Sequence, residues 1–201
     1  MPHRSVVIMS LLLVGFAVFW QAPNASGQSS GGWITLFDGK NLDHWNRLGE
    51  ANWTMADGVV QTDQKVGEGA AYLVSKQAYT DFQLRVEFWV DAVANSGIFI
   101  RCTDPHKINS TTGYEVNIFD TRPDPTYGTG AIVDVAKVDP MPKAGGQWNT
   151  YEIYAKGPQI TVKLNGVVTV SAQDSRFPEG RIGIQYNGGP IKVRKLLVRE
   201  L

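Results

Sequence analysis

The sequence predicts an all-β domain, a β-sandwich or jelly roll of about a dozen short antiparallel strands. Three observations carry this expectation. Apolar residues alternate with polar ones at period 2 in one window after another, whereas no window keeps a 3.6-residue apolar period over three turns. Clusters of Gly, Pro, Asn and Asp separate these windows, with 21 Gly and 10 Pro in 201 residues. The content of 43% hydrophobic and 10% aromatic residues is enough for a packed core and excludes a disordered chain.

The first segment reads as an address rather than a fold element. Arg4 precedes an apolar run from Val6 to Trp20, and small residues stand at Ala25 and Gly27. A basic start, an apolar stretch and small residues before a cut describe a secretory signal peptide over 1–27. The run is shorter than the roughly 20 residues a membrane span requires, so a membrane anchor is the lesser reading. Residues 28–32 then form a flexible segment and 33–201 the domain. The expected location is exported, periplasmic or extracellular, with no membrane attachment after cleavage.

Within the domain, Phe82, Leu84, Val86 and Phe88 alternate with Gln83, Arg85, Glu87 and Trp89. Ile160, Val162 and Leu164 alternate with Thr161 and Lys163, and Asn165-Gly166 supplies a type I′ hairpin turn into Val167–Val170. Ile182 and Ile184 flank Gly183 ahead of a Gly188-Gly189-Pro190 turn. The last strand carries Ile191 and Val193 on one face and then shifts to Leu196 and Val198, which predicts a bulge. Segments 103–112, 120–130 and 134–147 read as loops on this scaffold, where function often sits.

Composition narrows the function classes. Nineteen Lys and Arg balance nineteen Asp and Glu, so the chain lacks the basic excess that meets nucleic-acid phosphates. A single cysteine, Cys102, forms no internal disulfide and no cysteine-rich metal site, and reads as a small buried residue. The domain holds only His44 and His106, without the spacing of a zinc site. A carboxylate-rich site for calcium or another hard divalent cation stays open to Asp104, Asp120, Asp124, Asp134 and Glu115, although acidic loops are more often simply solvated. Gly-x-Gly-x-x-Gly and P-loop patterns are absent from the sequence, and no Gly-x-Ser-x-Gly elbow appears within 33–201.

Three strand windows carry polar residues of interest. In Asn95–Cys102, alternation sets Ile98, Ile100 and Cys102 on one face and Gly97, Phe99 and Arg101 on the other. In Gly113–Asp120, Glu115 and Asn117 oppose Tyr114, Val116 and Ile118, and in Arg181–Gln185 the polar ends oppose the isoleucines. If these strands are neighbours, Arg101, Glu115, Asn117 and Gln185 line one polar face. A plain solvated face explains such a set. Planar hydrogen-bonding groups near Phe99 and Trp89 also suit a sugar. The spacing Glu115–Asn117–Asp120 is a damaged form of the Glu-x-Asp-x-x-Glu pattern of jelly-roll glucanases, in which paired carboxyls cleave glycosides.

An ordered set of segments then resembles one known family. These are Gly32–Trp45, Trp53–Gly58, Tyr79–Phe88, Asn95–Arg101, Gly113–Asp120, Thr129–Ile132, Trp148–Glu152, Leu164–Gly166 and Gly180–Gln185. Together they resemble the bacterial 3-keto-disaccharide hydrolase domains, also described as 3-keto-glucoside lyase/hydratase domains. The resemblance implies a concanavalin-A-like sandwich of two curved antiparallel sheets, with the sugar on the concave face and a substrate already oxidised at C3. It implies Glu115 as general base, Arg101 as the cation for an enolate, and Asp120 as acid or metal ligand. It further implies Asn95, Asn117 and Gln185 as residues that orient sugar hydroxyls, and Phe99, Trp89 and Glu87 complete the expected substrate-binding set. No cofactor beyond a divalent metal is implied, and a separate oxidoreductase acting on sugar C3 would have to supply the substrate. A non-catalytic sugar-binding module and a conventional jelly-roll glycosidase are the other readings of the same residues.

Overall fold

The structure, a computed structural model, describes residues 32–64 and 67–201 together with Met1. The expected signal peptide (1–27) and flexible segment (28–32) lie outside the described residues, apart from Met1 and Gly32. The described residues from 32 onward form thirteen strands and one 3-10 turn, Pro125–Tyr127.

One sheet has five strands. These are β2 (Trp45–Leu48), β5 (Ala71–Tyr79), β7 (Ser96–Cys102), β8 (Tyr114–Ile118) and β12 (Gly180–Tyr186), in the order β2-β5-β12-β7-β8. The other has eight. Its path runs β11 (Val167–Gln173), β10 (Gln159–Leu164), β9 (Trp148–Lys156), β6 (Phe82–Val90), β13 (Ile191–Glu200), β4 (Val59–Thr62) and β3 (Thr54–Ala56), and β1 (Ile34–Phe37) pairs with β13. Every strand pair is antiparallel.

The alternating residues of β6 explain why the sheets meet. Leu84, Val86 and Phe88 are buried, and they join Tyr151, Ile153, Val162 and Leu196 of the eight-stranded sheet and Leu73, Ile98, Ile100, Val116 and Ile184 of the five-stranded one in one core. A hydrogen bond crosses that core, since Tyr151 Oη donates to the Asn117 backbone carbonyl at 2.6 Å. The hairpin at Asn165-Gly166 has φ +51° and +83°, both in the left-handed region that a type I′ turn demands. The expected break in the last strand is present as a register shift between Val193 and Lys195.

A second, smaller apolar cluster covers the outer face of the five-stranded sheet at one end. Tyr72, Val74, Phe99 and Cys102 pack there under Ile108, which loop 103–112 lowers onto them. Cys102 therefore lies on the face opposite Ile98 and Ile100. A bulge causes this: Arg101 has φ +52°, and the β7–β12 register slips between Phe99 and Cys102. Cys102 is nonetheless buried, and burial pushes its thiol up to about 12.

Candidate functional site

The site is built from rungs of the five-stranded sheet. One rung runs Tyr72, Gln185, Gly97 and Asn117, and the next runs Val74, Gly183, Phe99 and Glu115. Residues two apart on a strand share a face, so Asn95, Gly97 and Phe99 point the same way as Glu115 and Asn117. This is the outer face, away from the core. Gly97 leaves the space over which Glu115 leans: a Cβ at residue 97 would stand 3.2 Å from Glu115 Oε1 and 3.3 Å from its Cγ.

Glu115 is the chemically distinctive group. Burial raises its carboxyl from an ordinary 4.5 to about 7; the Arg122 charge opposes the rise and the Asp134 charge adds to it. Hydrogen bonding contributes nothing to this balance. Asp134, at φ +59°, accepts a hydrogen bond from Ser110 Oγ at 2.9 Å. A carboxyl poised near neutrality, with no hydrogen-bond partner among the described residues, can take up and return a proton at physiological pH.

Tyr72 and Gln185 lie on one side of this carboxyl. Gln185 Nε2 donates to Tyr72 Oη at 3.3 Å, and Tyr72 Oη donates to the Ile108 carbonyl at 3.0 Å. Burial holds the Tyr72 hydroxyl above its ordinary range, the Gln185 hydrogen bond counters this, and the charge of Glu115 adds to it. Gln185 is 7% exposed, and its Oε1 is buried without a partner among the described residues. On the edge strand of that same rung, Asn117 has no exposed surface, and its Nδ2 donates to the Tyr127 carbonyl at 2.7 Å. It thereby holds the loop that follows β8 against the strand. Asn95 is half-buried, and its backbone pairs with Asn187 and Gly188 in the turn after β12.

Several expected members stand elsewhere. The bulge at Arg101 turns its guanidinium off the polar face and buries it completely. It donates to the carbonyls of Thr80, Gly157 and Phe177 and to Asp81 Oδ1, joining three loops. It is a structural clamp and does not reach the Glu115 face. Asp120 follows the end of β8, and its carboxylate accepts hydrogen bonds from Thr129 Oγ1 and from the backbone N–H groups of Ala144 and Gly145. Those donors occupy the oxygens that acid catalysis or metal ligation would use. Phe99 is buried beneath Ile108 and edge-on to Tyr72, so its ring offers no face to a sugar.

Glu87 and Trp89 belong to the outer face of the other sheet. Glu87 pairs with Arg194 at 2.8 Å, and Lys192 sits over the Trp89 ring. The core separates both from Glu115. Divalent-metal ligation by the acidic loops also fails on geometry. Among the described residues, no three His, Cys, Asp or Glu side chains come together as ligands. Asp104 and Asp124 spend an oxygen on their own turns, accepting from His106 N and Thr126 N.

Tyr72, Gly97 and Arg122 are the members that sequence reasoning missed. Tyr72 lies in an unbroken apolar start to β5, where no alternation marks its face. Alternation puts Gly97 on this face, but its role as the opening beside Glu115 depends on register. Arg122 sits in a loop, and only the loop's course brings its charge to bear on Glu115.

Comparison with known proteins agrees with this architecture. The model of the 3-keto-alpha-glucoside-1,2-lyase-like domain matches residues 32–199. A 3-keto-disaccharide hydrolase of Bacteroides thetaiotaomicron is 27% identical over a 150-position alignment that covers 61% of this chain and 52% of that protein. This chain thus spans about half the length of that relative. A protein of Parabacteroides distasonis assigned as a glycosyl hydrolase superposes with a TM-score of 0.72 at 20% identity, covering 85% of this chain and 94% of its own. A carbohydrate binding module of Bacillus subtilis superposes with a TM-score of 0.59 at 16% identity, covering 85% and 96%. One fold thus carries both hydrolases and sugar-binding modules, so function must be argued from the site. By the match over 32–199, the chain belongs to the 3-keto-alpha-glucoside-1,2-lyase-like domain family.

Proposed function

We propose that this domain cleaves the glycosidic bond of 3-keto-glucosides by elimination, with Glu115 as the general base. The observation that supports this most strongly is the Glu115 carboxyl itself, desolvated to about 7 and without hydrogen bonds among the described residues, beside Gln185 and Tyr72. A ketone at C3 acidifies the C2 proton. Glu115 takes that proton, and the C2–H electrons move into an enolate on the C3 oxygen. The enolate re-forms the ketone, a double bond forms between C1 and C2, and the bond from C1 to the aglycone oxygen breaks. The proton held by Glu115 then passes to the departing oxygen. Addition of water at C1 and a proton at C2 of the resulting enone completes net hydrolysis.

An enolate needs a cation or a hydrogen-bond donor near its oxygen. Arg101 is committed to the loop clamp, and Arg122 takes this part in the proposal, because its charge already acts on the Glu115 carboxyl. No step requires a metal ion. The family name and the relative's name support the substrate class. The dependence on a C3 ketone implies an oxidoreductase acting earlier on the sugar, and an exported location follows only from the amino-terminal sequence.

The test is product release from an aryl 3-keto-glucoside, with the unoxidised aryl glucoside as control. The proposal expects release from the keto sugar alone and its loss in Glu115→Gln. Undiminished turnover in that variant removes Glu115 as base. Binding of sugar without cleavage moves the domain to the sugar-binding class.

A further inference from the structure

Gln185 is held with its amide in one sense, and the reason lies two residues away in a hydrogen-bond chain. Tyr72 Oη spends its only proton on the Ile108 carbonyl at 3.0 Å. What remains on that oxygen is acceptor capacity, and Gln185 Nε2 fills it at 3.3 Å. The amide nitrogen therefore faces Tyr72 and the carbonyl Oε1 faces away. That oxygen is buried and has no partner among the described residues. An unmet acceptor in a desolvated place is unfavourable, and native proteins keep few of them. Glu115, the neighbouring acid, can only accept hydrogen bonds when ionised, and it makes none to Gln185 among the described residues.

We infer that Tyr72 is a positioning residue that fixes Gln185 as an acceptor, so that the site selects sugars presenting a hydroxyl donor to Gln185 Oε1. The inference rests on the proposed carbohydrate substrate and adds a selection rule to it. A site built around a buried acceptor rejects an analogue that lacks the donor far more strongly than an apolar pocket rejects a size change. Asn117 Oδ1 is also without a partner, but its side chain has no exposed surface, whereas Gln185 keeps some. Loop 103–112 enters the rule through the Ile108 carbonyl, which anchors the chain of donors.

The test is a binding titration that needs no turnover. Methyl α- and β-glucopyranoside and their 2-, 4- and 6-deoxy and deoxyfluoro analogues are titrated calorimetrically against the wild type, Tyr72→Phe and Gln185→Met. Fluorine cannot donate, so at one ring position the deoxy and deoxyfluoro sugars should both bind roughly tenfold more weakly than the parent. In Gln185→Met that discrimination should vanish. In Tyr72→Phe, whose amide is free to turn, the deoxyfluoro penalty should fall to about twofold or less. Thermal unfolding checks that both variants are folded, and the folded one alone suffices if the other is not. A penalty retained in either folded variant overturns the inference, as does a wild type that binds all the analogues equally. Cleavage of the keto sugar alongside equal binding would leave the proposed reaction standing and remove only the selection rule. The tenfold pattern without cleavage would do the reverse.

Discussion

Replacing Glu115 by Gln should make the protein more stable at alkaline pH, by an amount that follows from the carboxyl's surroundings. In the folded chain, burial keeps this group protonated up to about 7, against an ordinary 4.5. The folded state therefore holds the proton more tightly than the unfolded chain does. Its contribution to stability is complete below about pH 4.5 and is lost as pH rises through about 7. At roughly 1.4 kcal/mol per pH unit, the gap between 4.5 and about 7 corresponds to about 3–4 kcal/mol. The carboxyl keeps some solvent contact, which brings the working figure to between about 2 and 3 kcal/mol. Gln has nearly the same shape and does not ionise, so it escapes this loss. Urea unfolding of both proteins at pH 4.5 and pH 8.5 measures it. The difference in unfolding free energy should move toward the variant by about 2–3 kcal/mol between the two pH values, with the other titrating groups cancelling. A movement below about 0.5 kcal/mol would show that Glu115 titrates as an ordinary surface acid, and the argument for a poised base would fall with it.

Other substitutions separate the site from the scaffold. Gly97→Ala puts a methyl 3.2 Å from Glu115 Oε1, so kcat for the keto sugar should fall at least tenfold while the melting temperature shifts by only a few degrees; steady-state kinetics with calorimetry reads both. Arg101→Met leaves three loop carbonyls and Asp81 without their donor, and urea unfolding should report a loss of about 3–5 kcal/mol. Asp120→Asn removes a charged acceptor from the Thr129, Ala144 and Gly145 donors and should cost about 1–3 kcal/mol in the same assay. Glu87→Ala and Trp89→Ala act on the other sheet and should leave kcat/KM within about twofold of the wild type, the limit set for surface changes remote from a site.

The period-2 pattern made the sandwich legible, because half-buried strands must alternate and this chain does so over β6, β8 and β10. Turn chemistry was equally readable, since Asn165-Gly166 has only one common use between two alternating runs. The pairing of Gln185, Gly97 and Asn117 across three strands was not, because register between distant strands leaves no mark on any one of them. Arg101 shows the cost of relying on parity. One residue at φ +52° exchanged the faces of Arg101 and Cys102, moving the expected catalytic cation into a loop clamp. Asp120 shows a second limit, since its oxygens are filled by backbone donors from residues 144 and 145, and backbone donors are invisible in residue identities. Glu115 was found because alternation alone places it opposite Tyr114 and Val116. Tyr72 was missed because the start of β5 is buried on both faces.

The central claim, abstraction of the C2 proton by Glu115, is tested most directly by the pH profile of kcat/KM for an aryl 3-keto-glucoside carrying protium or deuterium at C2. Cleavage should be confined to the keto sugar and slowed by deuterium at C2, with an ascending limb near pH 7 that Glu115→Gln abolishes. Cleavage of the unoxidised glucoside at a similar rate, without a C2 isotope effect, would contradict it and return the domain to the conventional glycosidases.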